Sequence, residues 1–532
     1  MLLLLPVGFL LAVSIAILIL QHNRRSQGLS WLVAALATIL IWLYVLVMRW
    51  LPLQPVVLEN VLPATELTQG ITLTLAGGAW PYALAIVTSL AAVVLTSAAQ
   101  LQNNARPWAW AGSMAVAAMG LLGVFSNTPL ALILTWTALD IMELATILVS
   151  MEGNRFARNA VVAFSTRIMG TLVLIWAMVY SRSFGQALNL SDPLPQVGLY
   201  LLLAAGLRLG VLPLNMPYTS EIPLRRGLVT IIRMVTSATS LVLLGRLPAA
   251  AVPADWAPYL LIFAAMAAFY GAVMFLNAKD ELTGRPFFLI ALGGLAVGCV
   301  VRSYPQSSQA WGTALLISGS MLFLNSFRPK RAWVFTLIGA IGLIGLPFTP
   351  AASGWNGVVV LPFNIPDIVF TLAHALLVLG YLHQGLKPGP ILPQSERWIE
   401  AAYLLGLILL AAADWVIAIF GWEGSFILGE WWASVISLVL VAGGYFGLSR
   451  FQTAVLSGLS HVNWLVVFSG HLTRQIEVFF TFNWLNRIVS VIYRLTQRIV
   501  YLLTETLEGE GGLLWVFVLL TLLITLIGAG GQ

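Results

Sequence analysis

The sequence predicts an all-α polytopic membrane protein of about 14–16 transmembrane helices, and three observations carry that reading. Of its 532 residues, 60% are hydrophobic and only 9% charged, with a mean hydropathy of +0.93. A soluble domain carries about 25% charged residues, so this chain lacks the polar surface to face water on all sides. Apolar runs of about 20 residues, the length that crosses the hydrocarbon core, recur along nearly the whole chain. Only helices and closed barrels satisfy their backbone in lipid, and these runs are too long for barrel strands.

Taken in order, spans fall near 2–20, 29–50, 80–99, 107–126, 128–150, 160–180, 197–216, 225–245, 257–278, 286–302, 309–326, 332–349, 367–385, 399–420, 431–449 and 513–529. The opening run lacks a basic leader and a small-residue cleavage site, so it reads as a retained first span. Placing the amino terminus outside collects most arginines and lysines in inside loops, leaving Arg49, Arg182, Arg246 and Arg302 opposite. That asymmetry is the one the positive-inside rule requires. Trp50, Trp80 and Trp108, at span ends, read as interface anchors. The run Asp280, Glu281, Arg285 reads as a solvated loop.

The single cysteine, Cys299, excludes an internal disulfide and any cysteine-based metal or iron–sulfur site. No phosphate-binding glycine motif occurs, so no cofactor, metal or catalytic site of its own is expected. The net charge of +6 is scattered over short loops and implies no nucleic-acid partner.

Two spans carry prolines that break a helix: GLRLGVLPLNMPYTSEIP, with Pro213 and Pro217, and GLIGLPFTPAASGW, with Pro347 and Pro350. They are the seventh and twelfth spans, and an odd offset turns two five-helix units in opposite directions across the membrane. Paired broken helices in inverted repeats point to a transport-type core. The expected organisation is N-terminal helices over 1–106, a first repeat over 107–245, a second over 257–385, and further helices over 399–449. An amphipathic segment, 450–512, and a final span, 513–532, complete it. Arg474, Arg487, Arg494 and Arg498 alternate there with aromatic and aliphatic residues, the pattern of a helix lying in the membrane interface.

These segments resemble the antiporter-like membrane subunits of complex I, Mrp antiporters and membrane-bound hydrogenases. The first broken helix resembles that family's lysine-bearing Leu-Pro-Leu step. RGLVTIIRMVTSATSLVLLGR, with Met234-Val235-Thr236, resembles the helix that follows it. LTWTALDIMELATILV, RNAVVAFSTRIMGTLVL and QAWGTALLISGS resemble the fifth, sixth and eleventh helices, and the tail resembles members that end in a lateral helix. The resemblance spans about 125–360 and implies partners: further membrane subunits, the lipid bilayer, and protons or sodium ions.

The family's chemistry lies in buried ionisable residues, and there this chain departs. The fifth-helix glutamate falls on Thr137, the sixth-helix lysine on Val162, and the lysine before the first break on Arg208. The eighth-helix histidine falls on Thr230, the eleventh-helix histidine and lysine on Gln309 and Thr313, and the lysine after the second break on Trp355. Arginine keeps its proton and cannot relay one. What remains is Asp140, Glu143, Arg167, Arg208 and Arg233 in the first repeat, and little besides His374 in the second. Intramembrane charges are costly and normally paired or water-facing. They read either as a remnant half-channel or as ion pairs joining helices, with a direct contact expected between Asp140 or Glu143 and an arginine. A polar chain is not expected in the second repeat, and Asp414 has no evident partner.

The implied function is a membrane subunit of a complex I-like or Mrp-like, NADH-quinone oxidoreductase-like or hydrogenase-like assembly, with reduced or lost conduction of its own. A pure scaffold and a stand-alone secondary transporter are the alternatives. The expected location is a bacterial or archaeal cytoplasmic membrane.

Overall fold

The computed structural model describes residues 2–21, 27–58, 70–76, 78–101, 107–150, 154–190, 193–215, 226–327, 333–387, 389 and 396–455. It divides into two units, Met1–Ser449 and Arg450–Gln532. The lateral segment beyond residue 455, the final span and Pro217 lie outside the described residues.

The first unit is built from α1 (Leu5–Gln21), α2 (Gln27–Val47), α3 (Ala79–Thr96), α4 (Pro107–Phe125), α5 (Pro129–Ser150), α6 (Asn154–Ser183), α7 (Pro195–Leu209) and α8 (Arg226–Arg246). It continues with α9 (Ala257–Leu276), α10 (Glu281–Val301), α11 (Pro305–Leu324), α12 (Trp333–Ile344), a single turn α13 (Trp355–Val358), α14 (Ile365–Leu386) and α15 (Arg397–Phe420). The helix α16 (Trp431–Val455) follows. Among the described residues, ten helices are long and apolar enough to cross a membrane. The chain is an integral membrane protein.

The helices differ in what they face. Nearly every residue of α3, α8, α10 and α11 is buried, and α3 packs against α2, α4, α8, α11 and α15. The outer helices instead expose large apolar side chains such as Ile19, Leu40, Met266, Ile365 and Val439. Lipid is as apolar as these side chains, so such a surface is stable only in a bilayer. The interior helix α11 carries Ser307, Ser308, Gln309 and Ser320, which its position inside the bundle tolerates.

Both breaks use one device. α7 ends at Gly210, held at φ 78, with Pro213 following; α12 ends before Gly345, held at φ 72, with Pro347 following. A left-handed glycine stops the helix and the proline prevents it from resuming. At 1.5 Å per residue, α7 and α12 are only about 22 and 18 Å long, short of the roughly 30 Å hydrocarbon core.

Several expectations need correction. Trp80 is no interface anchor: it is buried and donates from Nε1 to the Val45 carbonyl at 2.9 Å. Asp280 is the N-cap of α10 and forms a capping box with Thr283, so the helix starts earlier than hydropathy alone suggested. Glu281 is thereby buried against Arg226 at 2.7 Å, and Arg285 is buried with its guanidinium 4.9 Å from the Phe323 ring. A small hairpin was not foreseen: β1 (Val56–Leu58) pairs antiparallel with β2 (Ile71–Leu73). Its Thr72 and Thr74 bond the backbone of Asn127 and Phe125, tying the hairpin to the α4–α5 turn.

Candidate functional site: the buried charges of the two halves

Four consecutive helices deliver the first-repeat charges to one place. Asp140 and Glu143 stand three residues apart on α5, the spacing that puts both on one helix face. Arg167 comes from α6, Arg208 from the last turn of α7, and Arg233 from α8. All five are essentially inaccessible. Arg208 donates to both oxygens of Asp140, Nη1 to Oδ2 at 2.5 Å and Nη2 to Oδ1 at 2.9 Å. Arg167 bridges the two acids, Nε to Asp140 at 3.2 Å and Nη1 to Glu143 Oε1 at 2.8 Å. Arg233 closes the far end on Glu143 Oε1 at 2.9 Å.

Trp136, Thr171 and Gly170, which sequence reading did not single out, surround Arg208. The Trp136 ring lies 4.4 Å from its guanidinium carbon, and Thr171 Oγ1 and the Arg167 carbonyl each accept from Nη1 at 3.3 Å. Gly170 lets α7 approach: a Cβ there would stand 2.6 Å from Arg208 Cγ and 2.8 Å from the Ala204 carbonyl. The i, i+3 and i, i+4 offsets of Gly170 and Thr171 from Arg167 were the available signal. The break after Leu209 fixes the other end, since Gly206 accepts from the backbone of Val211 and Leu212.

The second half is more polar inside than the sequence suggested. His374 sits between Trp311 and Trp355, ring centroids 5.1 and 4.7 Å away, and hydrogen-bonds Ser437 at 2.8 Å and the Leu343 carbonyl at 3.0 Å. Along α12, Gly339, Gly342 and Gly345 receive the polar tips of Tyr381, Asp414 and Trp355 respectively. Asp414 is buried, yet among the described residues it has no hydrogen-bond or ion-pair partner.

No family model matches the chain, and no curated protein matches it. Solved structures do. A chain of the Mrp complex from Dietzia sp. DQ12-45-1b superposes with TM-score 0.70 at 15% identity, covering 100% of this chain and 63% of that one. A chain of the membrane-bound sulfane sulfur reductase, an archaeal respiratory membrane complex, gives 0.63 at 12% identity, covering 98% of this chain and 99% of that one. This chain has the antiporter-like fold. A chain of respiratory complex I from Thermus thermophilus gives 0.57 at 14% identity, covering 77% of this chain and 97% of that one. The present chain spans 63% of the length of the Mrp chain it matches.

Within the antiporter-like fold, the residues standing where the resemblance places ionisable groups turn back on the backbone. Thr137 bonds the Ile133 carbonyl at 2.8 Å, Thr230 that of Arg226 at 2.7 Å, and Thr313 that of Gln309 at 3.0 Å. Gln309 Nε2 reaches the Gly245 carbonyl at 3.2 Å, and Trp355 Nε1 the Ile344 carbonyl at 3.1 Å. The side chain of Val162 lies outside the described residues. Pro213, Pro347 and Pro350 follow the helix ends of the two breaks.

Proposed function

We propose that this chain is a non-enzymatic membrane subunit of a complex I-like or Mrp-like assembly whose first repeat is braced by fixed ion pairs rather than wired for proton relay. The bidentate Arg208–Asp140 contact carries this reading. A relay needs a group that gives its proton up and takes it back, and a guanidinium does neither. Paired and hydrogen-bonded on both acids, the three arginines bind α5, α6, α7 and α8 to one another. Proton flux is measured in vesicles containing the whole complex, comparing wild type with Asp140→Asn, Glu143→Gln and Arg208→Ala. Weakened assembly with unchanged flux is the expected result; a large loss of flux in an intact complex overturns the brace.

The matched glycine–proline breaks also support an inverted repeat, 107–245 against 257–385, related by a rotation of about 180° about an axis in the membrane plane. The distribution of basic loops supports an external amino terminus. Cys299, the single cysteine, is buried, which makes a clean background for labelling. Asp255→Cys should react with an impermeant thiol reagent from outside and Lys279→Cys only after the membrane is opened. The reverse pattern would invert the topology.

A further inference from the structure

Both buried acids of the first repeat are paired with arginines, and one buried acid elsewhere is not. Asp414 lies on α15, is 2% exposed, and has no hydrogen-bond or ion-pair partner among the described residues. The helices packed directly on α15 are α3, the 3-10 turn Ser97–Gln100 that follows it, α11 and α12, and not one of them contains a charged residue. Their titratable groups are limited to the Tyr82 phenol, set against Gly312, while α14 contributes the Tyr381 phenol, set against Gly339 one turn from Gly342. Tyr381 already donates its proton to the Ser318 carbonyl at 3.0 Å. α14 also brings His374, whose two ring nitrogens are engaged by Ser437 and the Leu343 carbonyl, and none of α3, α11, α12 and α14 carries an arginine or lysine to balance a carboxylate.

A second observation points to the same spot. Ser318 Oγ is completely buried and finds no hydrogen-bond partner among the described residues. It faces the same gap as the acid: a Cβ built on Gly342 would stand 2.3 Å from Asp414 Oδ2 and 3.4 Å from Ser318 Oγ. Gly342 is thus the residue that leaves room for both, and any larger side chain would fill the space between them. A buried hydroxyl without a partner and a carboxyl beside it complete one another when the carboxyl bears hydrogen and the hydroxyl accepts it. A lone carboxylate in such surroundings loses its hydration with no opposite charge to offset the loss.

We propose that Asp414, with Ser318 across Gly342, is a proton-binding site in the second half of the molecule. One acid and one hydroxyl supply a hydrogen bond, whereas a metal cation needs a fuller shell of oxygens than this gap presents. The site does not rest on the brace reading of the first repeat. Among the described residues, Ser308 Oγ and Gln309 Oε1 of α11, Tyr82 Oη against α11, and Ser353 Oγ beside Ser307 are likewise buried without partners. Groups of this kind are ordinarily satisfied by internal water.

Infrared difference spectroscopy on the full chain in lipid nanodiscs tests the proposal. Wild type should show a protonated-carboxyl band that titrates with pH and shifts in heavy water. Asp414→Asn should abolish it, and Ser318→Ala should move its frequency while the protein stays folded. A wild-type spectrum without such a band, or a band that survives in Asp414→Asn, overturns the site. A band present in choline buffer and lost on adding sodium assigns the position to sodium instead, and equally overturns it. If Asp414→Asn fails to fold, the wild-type titration and the Ser318→Ala shift still decide.

Discussion

The two halves of this chain bury polar groups by opposite rules. In the first repeat, two acids and three arginines bond one another directly, and the hydrogen bonds among them join four helices. In the second, a histidine is wedged between tryptophans, and a carboxyl faces a hydroxyl across a glycine without any opposite charge. A network of opposite charges fixes geometry, because every member has a defined place. Isolated groups held by apolar walls keep the freedom to change protonation. The antiporter-like fold accommodates both.

The largest test of this contrast removes the centre of the network. Asp140→Ala leaves Arg208 buried without its counter-charge, while Arg167 keeps only Glu143, and should cost about 3–5 kcal/mol, read as thermal unfolding in nanodiscs. A loss below about 1 kcal/mol would mean that water reaches the arginines and the contrast is false. The double replacement Asp140→Leu with Arg208→Met sharpens the point. Swapping a buried pair for apolar groups is often close to neutral, so the double variant should recover most of the stability that Asp140→Ala loses.

A smaller effect is expected from the second half. His374→Phe keeps the packing between Trp311 and Trp355 but strands Ser437 and the Leu343 carbonyl, a cost of about 1–2 kcal/mol. If it matched Asp140→Ala, the histidine would be part of a wider network than its two bonds. The smallest change is Arg226→Gln. Arg226 meets Glu281 at 2.7 Å near the helix ends with 23% of its side chain exposed, so less than about 1 kcal/mol should be lost.

How much of this was legible varies by residue. The two breaks were visible because glycine and proline punctuate helices by local rules that hold in any environment. The shared face of Asp140 and Glu143 followed from their spacing alone. Trp136 was harder: its value lies in the Arg208 guanidinium beside it, which arrives from a helix two further on. Asp414 was harder still, since its meaning depends on Gly342 and Ser318 and on the lack of charge in α3, α11 and α12. Glu281 and Arg285 were misjudged because hydropathy gives charged helix ends to the loop, whereas the Asp280 cap draws them into α10.

The order of the network along the chain bears on how the protein is made. Both acids are on α5, and the next three helices, α6, α7 and α8, each bring one arginine. A translating ribosome therefore delivers the negative charges first and their partners one hairpin at a time. An arginine or aspartate at the centre of a lone inserting helix costs about 2.5–3.5 kcal/mol on the translocon scale. Until α7 emerges, the nascent chain holds an unmatched acid that the bilayer disfavours, so α5, α6 and α7 are best retained beside the insertion machinery and released as a set, to which α8 adds a third arginine. Truncation between α6 and α7 should leave an intermediate that stays bound there, whereas truncation after α7 should free it.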